Sequence, residues 1–203
     1  YLNSKVSRLN KVLCQFELYK KTASLQGDIV ECGVFKGSSL IRFLTFRDLL
    51  TKKLKKKVIG FDSFGKFPNQ KIREDNKFAK SHDKSSGYGI NIKTLENALR
   101  KKKFKNFELI KGDVHKTIPE YLKKNKKLKI SFLHLDMDVF EPTKFVLNLL
   151  YKKIVKKGVI LIDDYNYVNG STKATKEFLK AHKKLKIEKL KFNNRLSFII
   201  KKL

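Results

Sequence analysis

The stretch K-I-S-F-L-H-L-D-M-D-V-F-E-P-T at 129–143 and, beyond a helical segment, K-K-G-V-I-L-I-D-D-Y at 156–165 decide the fold. Ile130 to Leu135 and Val159 to Ile162 are short unbroken apolar runs, the pattern of strands covered on both faces. Between them Phe145, Val146, Leu149, Leu150 and Ile154 mark one helix face. Strand, helix, strand is the repeating unit of a parallel sheet. Each strand runs into acids: Asp136 and Asp138 on the first, Asp163 and Asp164 on the second. Burying unpaired carboxylates is costly. Four of them at the ends of adjacent core strands ask for a cation, a basic partner or a ligand.

The same alternation extends outward. Leu2, Val6, Leu9, Leu13 and Phe16 predict an amphipathic helix over 2–19. Ile29 to Phe35, Val58 to Asp62 and Phe107 to Lys111 read as strands. Gly37-Ser38-Ser39 opens a helix to about Leu50, with serine as its cap. Ile92, Leu95 and Leu99 mark another helix, Thr117 to Lys124 a short one with Pro119 in its first turn, and Ala174 to Leu185 a further one. Ile187 to Phe192 and Leu196 to Lys201 flank Asn193-Asn194, a hairpin signal. The expected fold is α/β: a mostly parallel sheet with helices on both faces and an antiparallel strand at one side. Residues 1–203 are expected to form a single domain. Residues 63–89 have poor periodicity and small polar residues near their end, and are expected to form a lid with one short helix.

Bulk composition narrows the function class. Lys and Arg number 48 against 19 Asp and Glu, a net charge of +29. That balance would attract nucleic acid, anionic lipid or an anionic substrate. The lysines are spread over helix faces and linkers, as at 52–57, 101–103 and 123–129, and base-reading arginine is scarce. Nucleic acid is therefore not the favoured partner. Cys14 and Cys32 cannot form a disulfide framework and read as small buried residues. No run approaches a membrane span and no signal peptide is seen, so the expected location is cytoplasmic.

Ligands of open α/β sheets bind beyond the carboxyl ends of the strands. Those ends read Glu31-Cys-Gly33, Asp62-Ser63, Gly112-Asp113, Asp136-Met-Asp138 and Asp163-Asp164. Gly33 and Gly37 permit tight turns and close backbone approach. Neither G-x-G-x-x-G nor the phosphate-cradling G-x-x-x-x-G-K-[ST] is present, which argues against a dinucleotide or a nucleoside triphosphate. Asp62, at the end of the second strand, suits a ribose diol. With Asp113 on the next strand, the set suits an adenosyl ligand. Strands about 4.8 Å apart can bring Asp138, Asp163 and Asp164 onto one cation. All-oxygen ligation favours Mg²⁺, Mn²⁺ or Ca²⁺ over Zn²⁺. His134, within a buried strand, reads as a hydrogen-bonded core residue. His182 reads as structural or solvated, and His82 and His115 are within reach of the cleft.

The blocks D-I-V-E-C-G-V-F-K-G-S-S at 28–39, G-F-D-S-F-G-K-F-P at 60–68, G-D-V-H-K-T-I-P at 112–119, L-H-L-D-M-D-V-F-E-P-T at 133–143 and G-V-I-L-I-D-D-Y at 158–165 resemble the macrocin O-methyltransferase family of class I sugar methyltransferases. The resemblance implies a Rossmann-like seven-stranded sheet of order 3-2-1-4-5-7-6 and S-adenosylmethionine as cofactor. Glu31 and Gly33, with Gly37 and Ser38 in the same turn, would lie by its methionine portion. Asp62 and Ser63 would hold the ribose side, Asp113 would lie near the adenine, and Asp136 would support the pocket. Asp138, Asp163 and Asp164 would ligate Mg²⁺, with Mn²⁺ as the alternative, and the metal would hold neighbouring sugar hydroxyls. The D-x-D block departs from the family in carrying Phe140 where relatives have Tyr.

The expected reaction is therefore metal-dependent methyl transfer to a hydroxyl of a sugar, glycosylated small molecule or anionic glycan precursor. Asp138 is the first choice for accepting the hydroxyl proton and His115 the reserve. Relatives carry covering or oligomerising elements at the N-terminus, so a homo-oligomer is compatible. Two alternatives stand: an RNA-binding protein or RNA methyltransferase, and a catechol-type small-molecule O-methyltransferase.

Overall fold

The computed structural model describes residues 6–51, 55–193 and 195–202. Five strands run parallel: β1 (Asp28–Cys32), β2 (Val58–Asp62), β3 (Phe107–Lys111), β4 (Ile130–Leu135) and β5 (Ile154–Ile162). β6 (Ile187–Glu188) and β7 (Ser197–Ile200) complete the sheet, with β7 antiparallel to both β5 and β6. The strand order is β3-β2-β1-β4-β5-β7-β6, the Rossmann-like order the resemblance implies.

Alternation along the strands divides the core in two. Val30, Cys32, Leu133, Leu135, Ile160 and Ile162 face α5 (Val114–Lys124), α6 (Phe140–Leu150) and α7 (Asn169–Ala181). Ile29, Val58, Phe132, Val159 and Leu161 face α1 (Val6–Lys20), α2 (Ser38–Leu50) and α4 (Ile92–Lys101). β4 is buried at every position, as a central parallel strand with helices on both sides must be. Its register sets Leu135 level with Cys32 of β1 and Ile162 of β5. Gly33, Asp136 and Asp163 therefore emerge side by side at the carboxyl edge.

Several expectations need correction. The N-terminal helix is seen from Val6; Leu2 lies outside the described residues. Most of its expected apolar stripe faces outward, with Val6 81% and Leu13 57% exposed, while Phe16 packs on Phe46. The helix is anchored instead by Cys14, Leu18 and Tyr19, the last packed on Phe46 and Phe132. β1 stops at Cys32, because the amides of Val34 and Phe35 turn aside to the Asp62 carboxylate. Gly37, at φ 81, caps α2 with no side-chain bond, and the Ser39 hydroxyl goes to Glu31 instead. α5 begins at Val114, capped by Asp113, so Pro119 lies inside the helix rather than in its first turn. α7 begins at Asn169 and ends at Ala181, earlier than expected at both ends. The expected hairpin strand to Phe192 is only two residues long, and Asn194 lies outside the described residues. Within 63–89, α3 (Arg73–Ser86) is a full 14-residue helix.

Candidate active site

A cavity of about 860 Å³ opens beyond the carboxyl ends of the strands. Asp62 ends β2 and Ser63 follows it, Asp113 and His115 follow β3, Asp136 and Asp138 follow β4, and Asp163 and Asp164 follow β5; all line it. Lys11 of α1, Arg195, and Phe67, Phe78 and His82 of the 63–89 segment close its sides. A cavity of this size holds a ligand of cofactor dimensions.

Gly33 also lines the cavity, at φ 91. A Cβ there would stand 1.9 Å from the Asp136 carbonyl oxygen. The glycine thus admits the neighbouring strand end. At Gly37 a Cβ would meet Leu95 of α4 at 2.6 Å, so this glycine serves packing. Gly37, Ser38 and Glu31 are not among the cavity-lining residues. Glu31 is wholly buried and accepts hydrogen bonds from Ser39 and from His134 Nδ1, the latter at 2.9 Å. Burial raises its carboxyl, against the stabilising pull of His134 and Ser39.

The Asp62 carboxylate is already engaged. Oδ2 accepts from the amides of Val34 (2.7 Å) and Phe35 (3.0 Å), and Oδ1 from that of Phe64 (2.6 Å). It ties two turns together at the cavity mouth, and a ribose contact would share a carboxylate with few lone pairs left. Ser63 Oγ donates to the Lys66 carbonyl. Asp113 Oδ1 accepts from the His115 amide and lies 2.7 Å from His115 Nδ1. The imidazole also packs on Phe145, with ring centroids 4.6 Å apart. Partial burial opposes the charge on Asp113, but its bonds to His115 prevail and lower its pKa.

The acidic cluster differs from the set read in the sequence. Carboxylate oxygens of Asp136, Asp138 and Asp164 lie within 4.8 Å of one another, and Asp163 falls in a second group of that spacing, with His134 and Asp136. Asp163 turns to Lys11 Nζ, 2.5 Å from its Oδ2, and toward His134 Nε2, 3.9 Å from its Oδ1. Lys11 Nζ also lies 3.5 Å from Asp136 Oδ2. Arg195 Nη2 donates to Asp164 Oδ1 at 2.7 Å.

Charge in the cluster is unevenly offset. Burial first, then Asp136 and Asp164, push the Asp138 carboxyl up to about 9. Burial works against the charge on Lys11, but Asp136 and Asp163 outweigh it and hold the ammonium protonated above its usual range. Burial likewise opposes the His134 cation, which Asp163 and Glu31 nevertheless push up to about 9. Lys11 and Arg195 therefore leave Asp138 short of a counter-charge.

Asp138 also has an unusual backbone. Its φ is 62 and the Val139 amide reaches back 2.6 Å to the Met137 carbonyl, closing a γ-turn centred on the aspartate. Such strain persists where surrounding contacts over-determine it. Here the Asp138 carbonyl accepts from the Ser171 amide at 2.7 Å. Two residues on, the Phe140 amide donates to Asp75 of α3. Lys11, Arg195 and Asp75 escaped the sequence reading. They lie outside the motif blocks, and the two cations stand among 48 basic residues with no spacing to single them out.

The family model of the macrocin O-methyltransferases (TylF) matches residues 7–192. The chain belongs to this family. This methyltransferase is accordingly a class I enzyme that transfers methyl from S-adenosylmethionine to oxygen. Among solved structures it is similar to NovP, an O-methyltransferase, at TM-score 0.82 and 18% identity over 96% of this chain and 81% of NovP. It is similar to CalS11, a TDP-rhamnose 3'-O-methyltransferase in calicheamicin biosynthesis, at TM-score 0.73 and 22% identity over 97% and 80% of the two chains. An rRNA methylase from Streptococcus thermophilus aligns over 98% of each chain at TM-score 0.54 and 14% identity. Likenesses at these identities speak for the fold alone. No curated protein matches the methyltransferase in sequence.

Proposed function

We propose that this methyltransferase acts on a hydroxyl of a sugar or sugar-containing small molecule, with a divalent cation held by Asp136, Asp138 and Asp164. The observation that carries the reading is the convergence of these three carboxylates at the cavity wall, with Asp138 left undercompensated. All-oxygen donors at this spacing fit Mg²⁺ or Mn²⁺. The sugar acceptor is supported by family membership; CalS11, which shares the fold, is a TDP-rhamnose 3'-O-methyltransferase.

Bound there, the ion would supply positive charge that keeps the carboxylates ionised and would orient neighbouring hydroxyls. Asp138 borders both cluster and cavity and is the proton acceptor; His115, fixed by Asp113 and Phe145, is the reserve. Gly33, Asp62, Ser63 and Asp113 form the cofactor side, with adenosine toward β2 and β3. Alignment of the hydroxyl with the sulfonium is the larger source of rate, and proton removal adds about 10²- to 10⁴-fold. The chain is one methyltransferase domain, and residues 63–89 form the lid that keeps water from the reaction.

The test is a methyl-transfer screen with labelled S-adenosylmethionine and Mg²⁺ over nucleotide sugars, glycosides, catechols and RNA. Turnover on sugar acceptors is expected. Turnover confined to catechols or RNA would overturn the acceptor assignment while keeping the cofactor.

A further inference from the structure

We infer that Lys11 of α1 binds the carboxylate of the cofactor's methionine end. S-adenosylmethionine ends in an amino-acid zwitterion, and its binding needs a cation for the carboxylate and an anion or carbonyl for the ammonium. The strand order reverses between β1 and β4, where an α/β sheet opens its ligand crevice. With adenosine toward β2 and β3, as in the reading above, the methionine end comes to rest over Gly33 and the end of β4.

That place carries an ion pair. Lys11 Nζ and Asp136 Oδ2 lie 3.5 Å apart, both line the cavity, and their side chains are 28% and 25% exposed. A lysine ammonium has three donors. One is committed to Asp163 Oδ2 at 2.5 Å and a second is near Asp136, which leaves a third for the cavity. Asp163 is 3% exposed and holds the ammonium from behind; its other oxygen makes no hydrogen bond within the protein. Glu31, which the family resemblance would place near the methionine, is sealed against Ser39 and His134. The other basic cavity residues stand elsewhere: Lys71 is exposed in the 63–89 segment, before α3, Arg195 is bonded to Asp164, His115 sits at Asp113 beyond β3, and His82 packs among the rings of Phe35, Phe67 and Phe78. Lys11 also explains how α1, whose N-terminal half is exposed, contributes to the site.

The experiment is calorimetry of wild type, Lys11→Met and Lys11→Arg with two ligands: S-adenosylmethionine and its decarboxylated form, which lacks only the carboxylate. Wild type is expected to bind the intact cofactor about ten- to a hundredfold more tightly, the range of one charge-assisted hydrogen bond. Lys11→Met is expected to lose that preference and Lys11→Arg to keep most of it. Equal weakening toward both ligands, or an unchanged preference in Lys11→Met, would overturn the inference. Should Lys11→Met fail to fold, wild type that does not distinguish the two ligands would overturn it as well. Failure of wild type to bind either ligand would instead strike at the cofactor, and the inference would fall with it.

Discussion

Asp75 Oδ2 accepts a hydrogen bond from the Phe140 amide at 2.7 Å, which fastens the helix beside the cavity to the first turn of α6, two residues beyond Asp138. Asp75 is buried, and burial raises its carboxyl against the Phe140 bond. The contact is tight: a Cβ on Gly170 would stand 2.6 Å from Asp75 Oδ1 and 2.6 Å from the Phe140 nitrogen. The position of α3 and the geometry of the acid cluster are thereby linked through one carboxylate. Asp75→Ala should cost about 1–2 kcal/mol, as loss of a helix cap does. Protease nicking within 73–86 should quicken, and KM for the acceptor should rise more than kcat falls.

Gly33 offers a sharper structural test. Its positive φ and the 1.9 Å approach of the Asp136 carbonyl to a built Cβ leave no room for a methyl group, since the obstacle is backbone. Gly33→Ala should lower stability by more than about 2 kcal/mol and disturb cofactor binding. Gly65→Ala is the control, because a Cβ there meets nothing closer than the Ser63 carbonyl at 3.9 Å. Thermal melts of the two variants should differ by several degrees.

The Glu31–His134–Asp163 arrangement implies a pH signature. His134 has a folded pKa of about 9, above its ordinary 6.5. A raised folded value stabilises the protein fully below the unfolded pKa, and the contribution fades as pH rises through the folded pKa. His134→Gln should therefore be markedly less stable than wild type at pH 6, and the gap should narrow between pH 6.5 and about 9. The difference between the two proteins is the quantity to follow, since Lys56, lowered by burial to about 8, acts with the opposite sign in both. A gap constant across this range would show that the buried imidazole carries no charge.

Much of this architecture could be read from residue order. The strands at 58–62, 107–111 and 130–135 fell where expected because β-branched and aromatic runs bounded by acids or glycine have few other homes. The strand ends brought Asp136, Asp138, Asp163 and Asp164 to the cavity wall, because a carboxylate following a buried strand has to emerge at the sheet edge. What escaped depended on tertiary contacts. The stripe Val6, Leu9, Leu13 pointed to a buried face, but α1 is gripped by Leu18 and Tyr19 and turns Lys11 and Gln15 inward. The helix at 73–86 is mostly polar and held by Asp75 and the His82 ring cluster, neither visible as periodicity. The bond between Lys11 and Asp163 spans 152 positions, which no local pattern encodes.

Two variants should separate the carboxylates. Asp164→Asn removes a member of the converging trio and should weaken Mg²⁺ binding at least tenfold by calorimetry. Asp163→Asn removes the partner of Lys11 and should weaken it less, while loosening S-adenosylmethionine. The reverse ranking would restore Asp163 to the cation site.

The most direct measurement of the central claim is the initial rate of methyl transfer from labelled S-adenosylmethionine to a sugar acceptor, in Mg²⁺ and in excess chelator, for wild type and Asp138→Asn. Wild-type turnover should fall at least a hundredfold in chelator, about 2.7 kcal/mol of barrier, and return with Mg²⁺, while Asp138→Asn should be similarly impaired in both conditions. Undiminished turnover of wild type in chelator, or of Asp138→Asn in Mg²⁺, would contradict a cation site built on these acids.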